Sequence, residues 1–151
     1  DITTILKDPI LCTEIVDGFI EGLKSTRIDA IVSTESRGFF FGTLLANKMQ
    51  LPLIPLRKPG KLPYKTISCE YALEYGTDKV EMHADALEKG WNVLVHDDLL
   101  ATGGTAEASA KLIKMQNAHV AGFAFLLELD FLHGRRKLET YSGNIMSLVR
   151  Y

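Results

Sequence analysis

Val93–Thr105 reads V-L-V-H-D-D-L-L-A-T-G-G-T, and this stretch decides the fold. Val93–Val95 has the apolar, β-branched character of a short buried strand. Two adjacent carboxylates, Asp97 and Asp98, follow where such a strand is expected to end, the edge at which open α/β sheets take ligands. Ala101-Thr102-Gly103-Gly104-Thr105 then offers backbone N–H groups, two hydroxyls and almost no bulk. A loop of that kind entering a helix is an anion site, because unpaired amides and the helix dipole both favour a phosphate. The stretch therefore implies a ligand with a phosphate at one end and hydroxyls, or a metal ion, for the aspartates. That describes a ribose 5-phosphate. His96 is expected to pack beside the sheet rather than to act in catalysis.

The flanking sequence repeats the strand–helix rhythm. Asp8-Pro9 is a helix start, with Asp as N-cap and Pro at the first helical position. Ile15, Val16, Phe19, Ile20 and Leu23 then recur at helical spacing through about Lys24. Asp29–Ser33 reads as a buried strand, Phe39–Met49 as a helix, and Leu51–Leu56 as a second strand marked as an edge by Pro52 and Pro55. Arg57–Pro63 is turn-rich and basic. Tyr64–His83 alternates polar and apolar residues about E-Y-G-T-D, which predicts a β-hairpin projecting as a lid over the ligand site. A dimerisation arm is the other use for such a hairpin, and the two are compatible. Asp85–Gly90 reads as a short helical turn, and Glu107–Asn117 as the helix leaving the phosphate loop, with Ala108, Leu112 and Met115 on one side. Val120–Leu127 is a long strand, Leu132–Leu138 a short basic helix, and Ile145–Val149 a last strand. The order predicts an α/β fold built from right-handed βαβ crossovers.

The 151 residues, 46% of them hydrophobic and 24% charged, suit one globular domain spanning 1–151 with the hairpin at about 64–83. A net charge of −2 argues against a general nucleic-acid partner. Arg57, Lys58, Lys61 and Lys65 nevertheless form an acid-free basic stretch, suited to a small anion. No apolar run reaches the roughly 20 residues that span a bilayer, so no membrane partner is expected. Cys12 and Cys69 lack metal-ligand or redox spacing, and a reducing compartment fits them.

The Val93–Thr105 run resembles the 5-phosphoribosyl-1-pyrophosphate (PRPP) motif of type I phosphoribosyltransferases. Glu35–Gly42 (E-S-R-G-F-F-F-G), Arg57–Pro63 (R-K-P-G-K-L-P), Leu73–Gly76 (L-E-Y-G) and Glu128–Leu138 (E-L-x-x-L-x-G-R-x-K-L) are similar, in order and separation, to the adenine phosphoribosyltransferases of that family. The resemblance runs from Asp1 to about Tyr151, with His96 standing where the family usually has an apolar residue. It implies an open, mainly parallel twisted sheet flanked by helices, with a projecting β-hairpin lid. It further implies a cytoplasmic homodimer that salvages purine, converting adenine and PRPP to AMP and pyrophosphate with Mg²⁺ that arrives mainly on PRPP.

Roles for individual residues follow from the resemblance together with the chemistry. Ala101, Thr102, Gly103, Gly104 and Thr105 would hold the 5-phosphate, and Asp97 and Asp98 the ribose hydroxyls or metal-bound water. No dedicated protein cage for the metal is expected. Ser36, Arg37, Arg57, Lys58 and Lys61 would hold pyrophosphate, some of them across a dimer interface. Glu74 would be the acid–base group, Tyr75 would cover the site, and Leu129 would pack on the purine face. The resemblance also implies a cis peptide at Glu35–Ser36. In the family an upstream segment reads the adenine edge; a chain starting at Asp1 is expected to hold only part of the base pocket. The alternatives are a phosphoribosyltransferase for another purine base, such as hypoxanthine or guanine, and a non-catalytic PRPP- or nucleotide-sensing regulator. Relatives that act on 6-oxopurines use a lysine after a late strand, where this chain reads L-L-E-L-D.

Overall fold

In the computed structural model, which describes residues 2–151, five strands form a parallel sheet. They are β1 (Ala30–Thr34), β2 (Leu53–Leu56), β5 (Asn92–Leu100), β6 (His119–Glu128) and β7 (Ile145–Arg150), ordered β2-β1-β5-β6-β7 in space. The strands β3 (Thr66–Ala72) and β4 (Thr77–His83) pair antiparallel as a separate hairpin. The helices are α1 (Pro9–Leu23), α2 (Gly38–Met49), α3 (Gly104–Met115) and the single-turn α4 (Arg135–Leu138). Asp1, where the resemblance begins, lies outside the described residues.

Period-two alternation along the central strands builds two cores. Ala30, Val32, Val93, Val95, Phe123 and Phe125 point to one face, under Ala106, Ala110, Leu112 and Ile113 of α3. Ile31, Leu94, Ala124 and Leu126 point to the other, under Val16, Phe19 and Leu23 of α1 and Phe41, Leu45 and Ala46 of α2. Both faces being covered explains why these strands are apolar throughout. Each large side chain so buried contributes about 1.5–3 kcal/mol of transfer free energy. Asp8 starts α1 as its sequence dictates, accepting from the Ile10 and Leu11 amides at 3.0 Å each. Both strands hold the hairpin to the first core, with Val80 and Met82 of β4 buried in it and Ile67, Cys69 and Tyr71 of β3 packed against it, while its turn is exposed.

Several boundaries differ from the sequence reading, each for a local reason. The central strand does not stop at Val95: β5 runs through both aspartates to Leu100, because β6 keeps pairing with it as far as Leu100↔Glu128. Pairing with β1 ends at Ser33↔His96. The aspartates therefore sit past the end of one neighbour, on a strand held by the other. The helix after the phosphate loop starts three residues earlier than expected, at Gly104, with Gly103 in the left-handed region at φ 82° supplying the turn. Of the apolar residues Ala108, Leu112 and Met115, the first two are buried and Met115 is 56% exposed, while Ile113 is buried. Asp85–Gly90 is a run of turns, not a helix, and Leu132–Leu138 is a 3-10 turn (Asp130–Leu132) followed by α4. β2 lies at the sheet edge, where Pro52 and Pro55 removed the option of a central strand.

His96 is fully buried, its ring edge-on to Phe19 with centroids 5.2 Å apart. Burial pushes its pKa down to about 4, so it is a neutral packing residue. Cys12 and Cys69 are free thiols. No helix of the described residues is long and apolar enough to cross a membrane.

Candidate active site

The C-terminal ends of β1 and β5 open onto a cleft of about 390 Å³, walled by Thr34–Arg37, Lys58, Tyr71, Asp97–Leu99, Ala101 and Thr105. It adjoins a recess of about 70 Å³ lined by Asp97 and residues 99–106. The two share Asp97, Leu99, Ala101 and Thr105. A carboxylate pair and an amide-rich helix start therefore face one space. A groove of about 690 Å³ between α1 and α2, lined by Cys12, Phe40 and Leu44 among others, lies elsewhere and carries none of these groups.

The recess owes its shape to small residues. The first-turn amides of α3 have no partner within the helix, and Ala101, Gly103, Gly104 and Ala106 put no side chain of any size over them. A Cβ added to Gly103 would come within 2.7 Å of the Gly134 carbonyl oxygen. Only glycine allows that approach at this backbone angle.

The charged groups are already paired. Arg37 Nε donates to Asp98 Oδ2 at 2.7 Å, and this carboxylate holds the Arg37 pKa above its ordinary value. Burial and the neighbouring Asp98 charge push Asp97 well above the ordinary carboxylate range. Glu35 gathers donors from three residues: Lys61 Nζ at 2.8 Å, the Lys58 amide at 3.0 Å, and Arg57 Nη2 and Nε at 3.2 and 3.3 Å. Burial alone would raise its pKa, but these donors outweigh it and bring it down to about 2. Lys58 Nζ bonds Asp78 and donates to Tyr71 Oη at 3.2 Å. Asp78 and Tyr71 face each other across the hairpin register. Backbone bonds between Arg57 and Glu81, 2.9 and 2.8 Å long, fasten the basic stretch to β4.

The structure thus brings together Ser36, Arg37, Lys58, Asp97, Asp98 and the residues 101–105. Arg57 and Lys61, expected to hold pyrophosphate, are tied back onto Glu35. Glu74 and Tyr75 stand at the exposed hairpin turn, Tyr75 86% exposed, and neither lines the cleft. Leu129 is half-buried and lines neither the cleft nor the recess, its amide donating to the Leu100 carbonyl at 2.9 Å. The Glu35–Ser36 peptide is cis, as the resemblance implied. The sequence reading missed Glu35 and Tyr71 as cleft residues and Asp78 as the partner of Lys58. Glu35 lay inside the quoted E-S-R-G motif, and Tyr71 pairs with Asp78 once the turn is placed at Leu73–Gly76.

With this geometry in view, comparison with known proteins is specific. A family model described as a phosphoribosyl transferase domain matches residues 2–146. The adenine phosphoribosyltransferase of Cytophaga hutchinsonii is 52% identical over 151 residues, all of this chain and 83% of that protein. The crystal structure of adenine phosphoribosyltransferase from Thermoanaerobacter pseudethanolicus superimposes with a TM-score of 0.97 at 46% identity, covering 100% of this chain and 87% of that one. The enzyme from Saccharomyces cerevisiae, complexed with D-2,5-dideoxy-2,5-imino-altritol 1,6-bisphosphate and adenine, gives 0.90 at 38% identity over 98% and 85% of the two chains. Full-length identity near one half, together with a matching sheet and hairpin, places this chain in the adenine phosphoribosyltransferase branch of the phosphoribosyltransferase family.

Proposed function

We propose that the protein is a purine-salvage enzyme that transfers the 5-phosphoribosyl group of PRPP to adenine, giving AMP and pyrophosphate. The observation that carries this is the adjoining of the cleft and its recess, which brings together the Asp97–Asp98 pair, the Ala101–Thr105 loop and Arg37. It matches, in order, the hydroxyls, 5-phosphate and diphosphate of one PRPP molecule.

In the reaction the C1′–O bond to diphosphate breaks and a C1′–N bond to adenine forms, while adenine gives up a proton. Positive charge grows at C1′ and negative charge on the leaving group. The α3 amides with Thr102 and Thr105 hold the 5-phosphate, and Asp97 and Asp98 hold the ribose hydroxyls. Ser36, Arg37 and Lys58 receive the diphosphate, stabilising charge where it develops. Arg57 and Lys61 join them once diphosphate competes with Glu35. Leu129 packs on the purine face. The hairpin, about residues 64–83 of a single domain, folds down so that Tyr75 excludes water and Glu74 accepts the adenine proton. The exposed turn supports that motion at the hairpin tip, since both strands are packed on the first core.

Mg²⁺ fits this donor set as an ion carried in on the diphosphate, because Asp97 and Asp98 offer hard oxygen acceptors to its water shell. When bound it would help neutralise the leaving group. Ile10, Phe40 and Leu44 form an exposed apolar surface on α1 and α2, which supports a homodimer, and the family resemblance supports a place in the cytoplasm.

A spectrophotometric assay with PRPP and Mg²⁺, run against adenine, hypoxanthine and guanine, tests the reading. Turnover of adenine alone is expected. Turnover of a 6-oxopurine would reassign the base, and PRPP binding without turnover of any base would make the protein a sensor.

A further inference from the structure

We propose that Glu128 and Arg135 are positioning residues for the 5-phosphate site, acting through Gly134. The proposal rests on the phosphoribosyltransferase reading above and assigns it residues that touch no part of the cleft.

Glu128 ends β6 and is 2% exposed. Arg135 opens α4 and grips it with two bonds, Nε to Oε1 at 2.9 Å and Nη2 to Oε2 at 2.6 Å. Ser147 Oγ donates to the same Oε2, and Arg150 Nε lies 3.4 Å from it. Arg135 Nη1 donates to the Ile145 carbonyl at 2.7 Å, which ties the guanidinium to β7. Burial would push the Glu128 pKa up, but the Arg135 and Ser147 bonds outweigh it and hold the carboxyl below its ordinary range. A bidentate pair of this kind fixes direction as well as distance.

What the pair encloses is the segment 129–134, which passes directly behind the phosphate loop. Gly134 lies against the loop backbone: an added Cβ would overlap the Ala101 carbonyl oxygen and come within 2.9 Å of the Gly103 nitrogen. From the other side, the Gly134 carbonyl limits Gly103. Leu129 is fastened to Leu100 at the start of the same loop. Glycine stands on both sides of this contact, so the two backbones meet directly; with Tyr71 against Gly104 from the hairpin, the loop's amides point where the 129–134 segment lets them. Holding that segment's two ends together, through residues seven apart in sequence, sets the loop for a phosphate.

The test uses Glu128→Gln, Arg135→Lys and Gly134→Ala, each first checked for a native circular dichroism spectrum. Calorimetry then measures ribose 5-phosphate and pyrophosphate separately. Displacing catalytic or binding groups by about 1 Å costs on the order of 100-fold. Glu128→Gln is therefore expected to weaken ribose 5-phosphate about 10- to 100-fold while pyrophosphate changes less than about 3-fold. Arg135→Lys, which keeps the charge and loses the fork, should fall between wild type and Glu128→Gln. Gly134→Ala should reproduce the selective loss with the ion pair intact, which keeps the idea testable where Glu128→Gln does not fold. Equal loss of both ligands in the folded variants, or no loss in any, overturns the proposal. Failure of the wild-type chain to bind ribose 5-phosphate would instead overturn the reading of the phosphate loop itself.

Discussion

Arg37 Nε donates to Asp98 Oδ2 across 2.7 Å, joining residues that are sixty-one positions apart in the chain. The bond links the loop after β1 to the free side of β5, just beyond the point where the two strands stop pairing. It leaves Asp98 ion-paired with Arg37 and Asp97 beside it, half-buried and held toward its protonated form. Ligand binding must therefore rearrange a network that is already satisfied, rather than fill one that waits.

The aspartate pair is expected to carry PRPP affinity. Asp97→Asn combined with Asp98→Asn removes charge-assisted hydrogen bonds worth roughly 1.5–3 kcal/mol each. The double variant should lose most PRPP binding and keep its fold. Calorimetry with PRPP and Mg²⁺ checks this, and unchanged affinity would take both residues out of the site.

Asp97 alone should trade stability against function. Its folded pKa is raised, so the stability linked to its proton is fully present below the unfolded value of 3.8 and is lost as pH rises through the higher folded value. At neutral pH the ionised group is a cost to the free protein. Asp97→Asn should raise ligand-free stability by about 0.5–2 kcal/mol, which is about 2–4 °C in Tm per kcal/mol at this size. The gain should shrink toward acid pH. A variant that melts lower than wild type at pH 7 contradicts this account.

Glu35 should behave in the opposite sense. Its folded pKa of about 2 lies below its ordinary 4.5, so its contribution is present above pH 4.5 and is lost as pH falls from there toward 2. Glu35→Gln should destabilise the protein at pH 7 by roughly 1–3 kcal/mol, since donors from three residues lose a charged acceptor. The difference from wild type should close in acid. Urea titrations at pH 7 and pH 3 measure it, and a pH-independent difference would exclude an electrostatic origin.

Glu74→Gln should lower turnover by about 10²–10⁴-fold while PRPP and AMP bind nearly as well. The side chain is exposed at the hairpin turn and makes no contact with the cleft, so the amide has nothing to disturb in the open form. Single-turnover kinetics separate chemistry from release. Wild-type rates in that step would reduce the hairpin to a cover.

Local chemistry was enough to reveal the fold class and half of the cleft. A run such as V-L-V-H-D-D-L-L-A-T-G-G-T constrains its own backbone, because strand propensity, paired acids and consecutive glycines act within a few residues of one another. Asp8-Pro9 declared a helix start for the same reason, through bonds that span two and three residues. What no local pattern carried was the pairing of charges. Glu35 with Arg57 and Lys61, Lys58 with Asp78, and Arg37 with Asp98 meet only after β1, β2, β5 and the hairpin have been set side by side. The length of β5 was likewise decided by a neighbour, since β6 goes on pairing after β1 has turned away. Gly134 behind Gly103 is the same case in a smaller space: either glycine reads alone as a turn, and only the fold brings their backbones into contact.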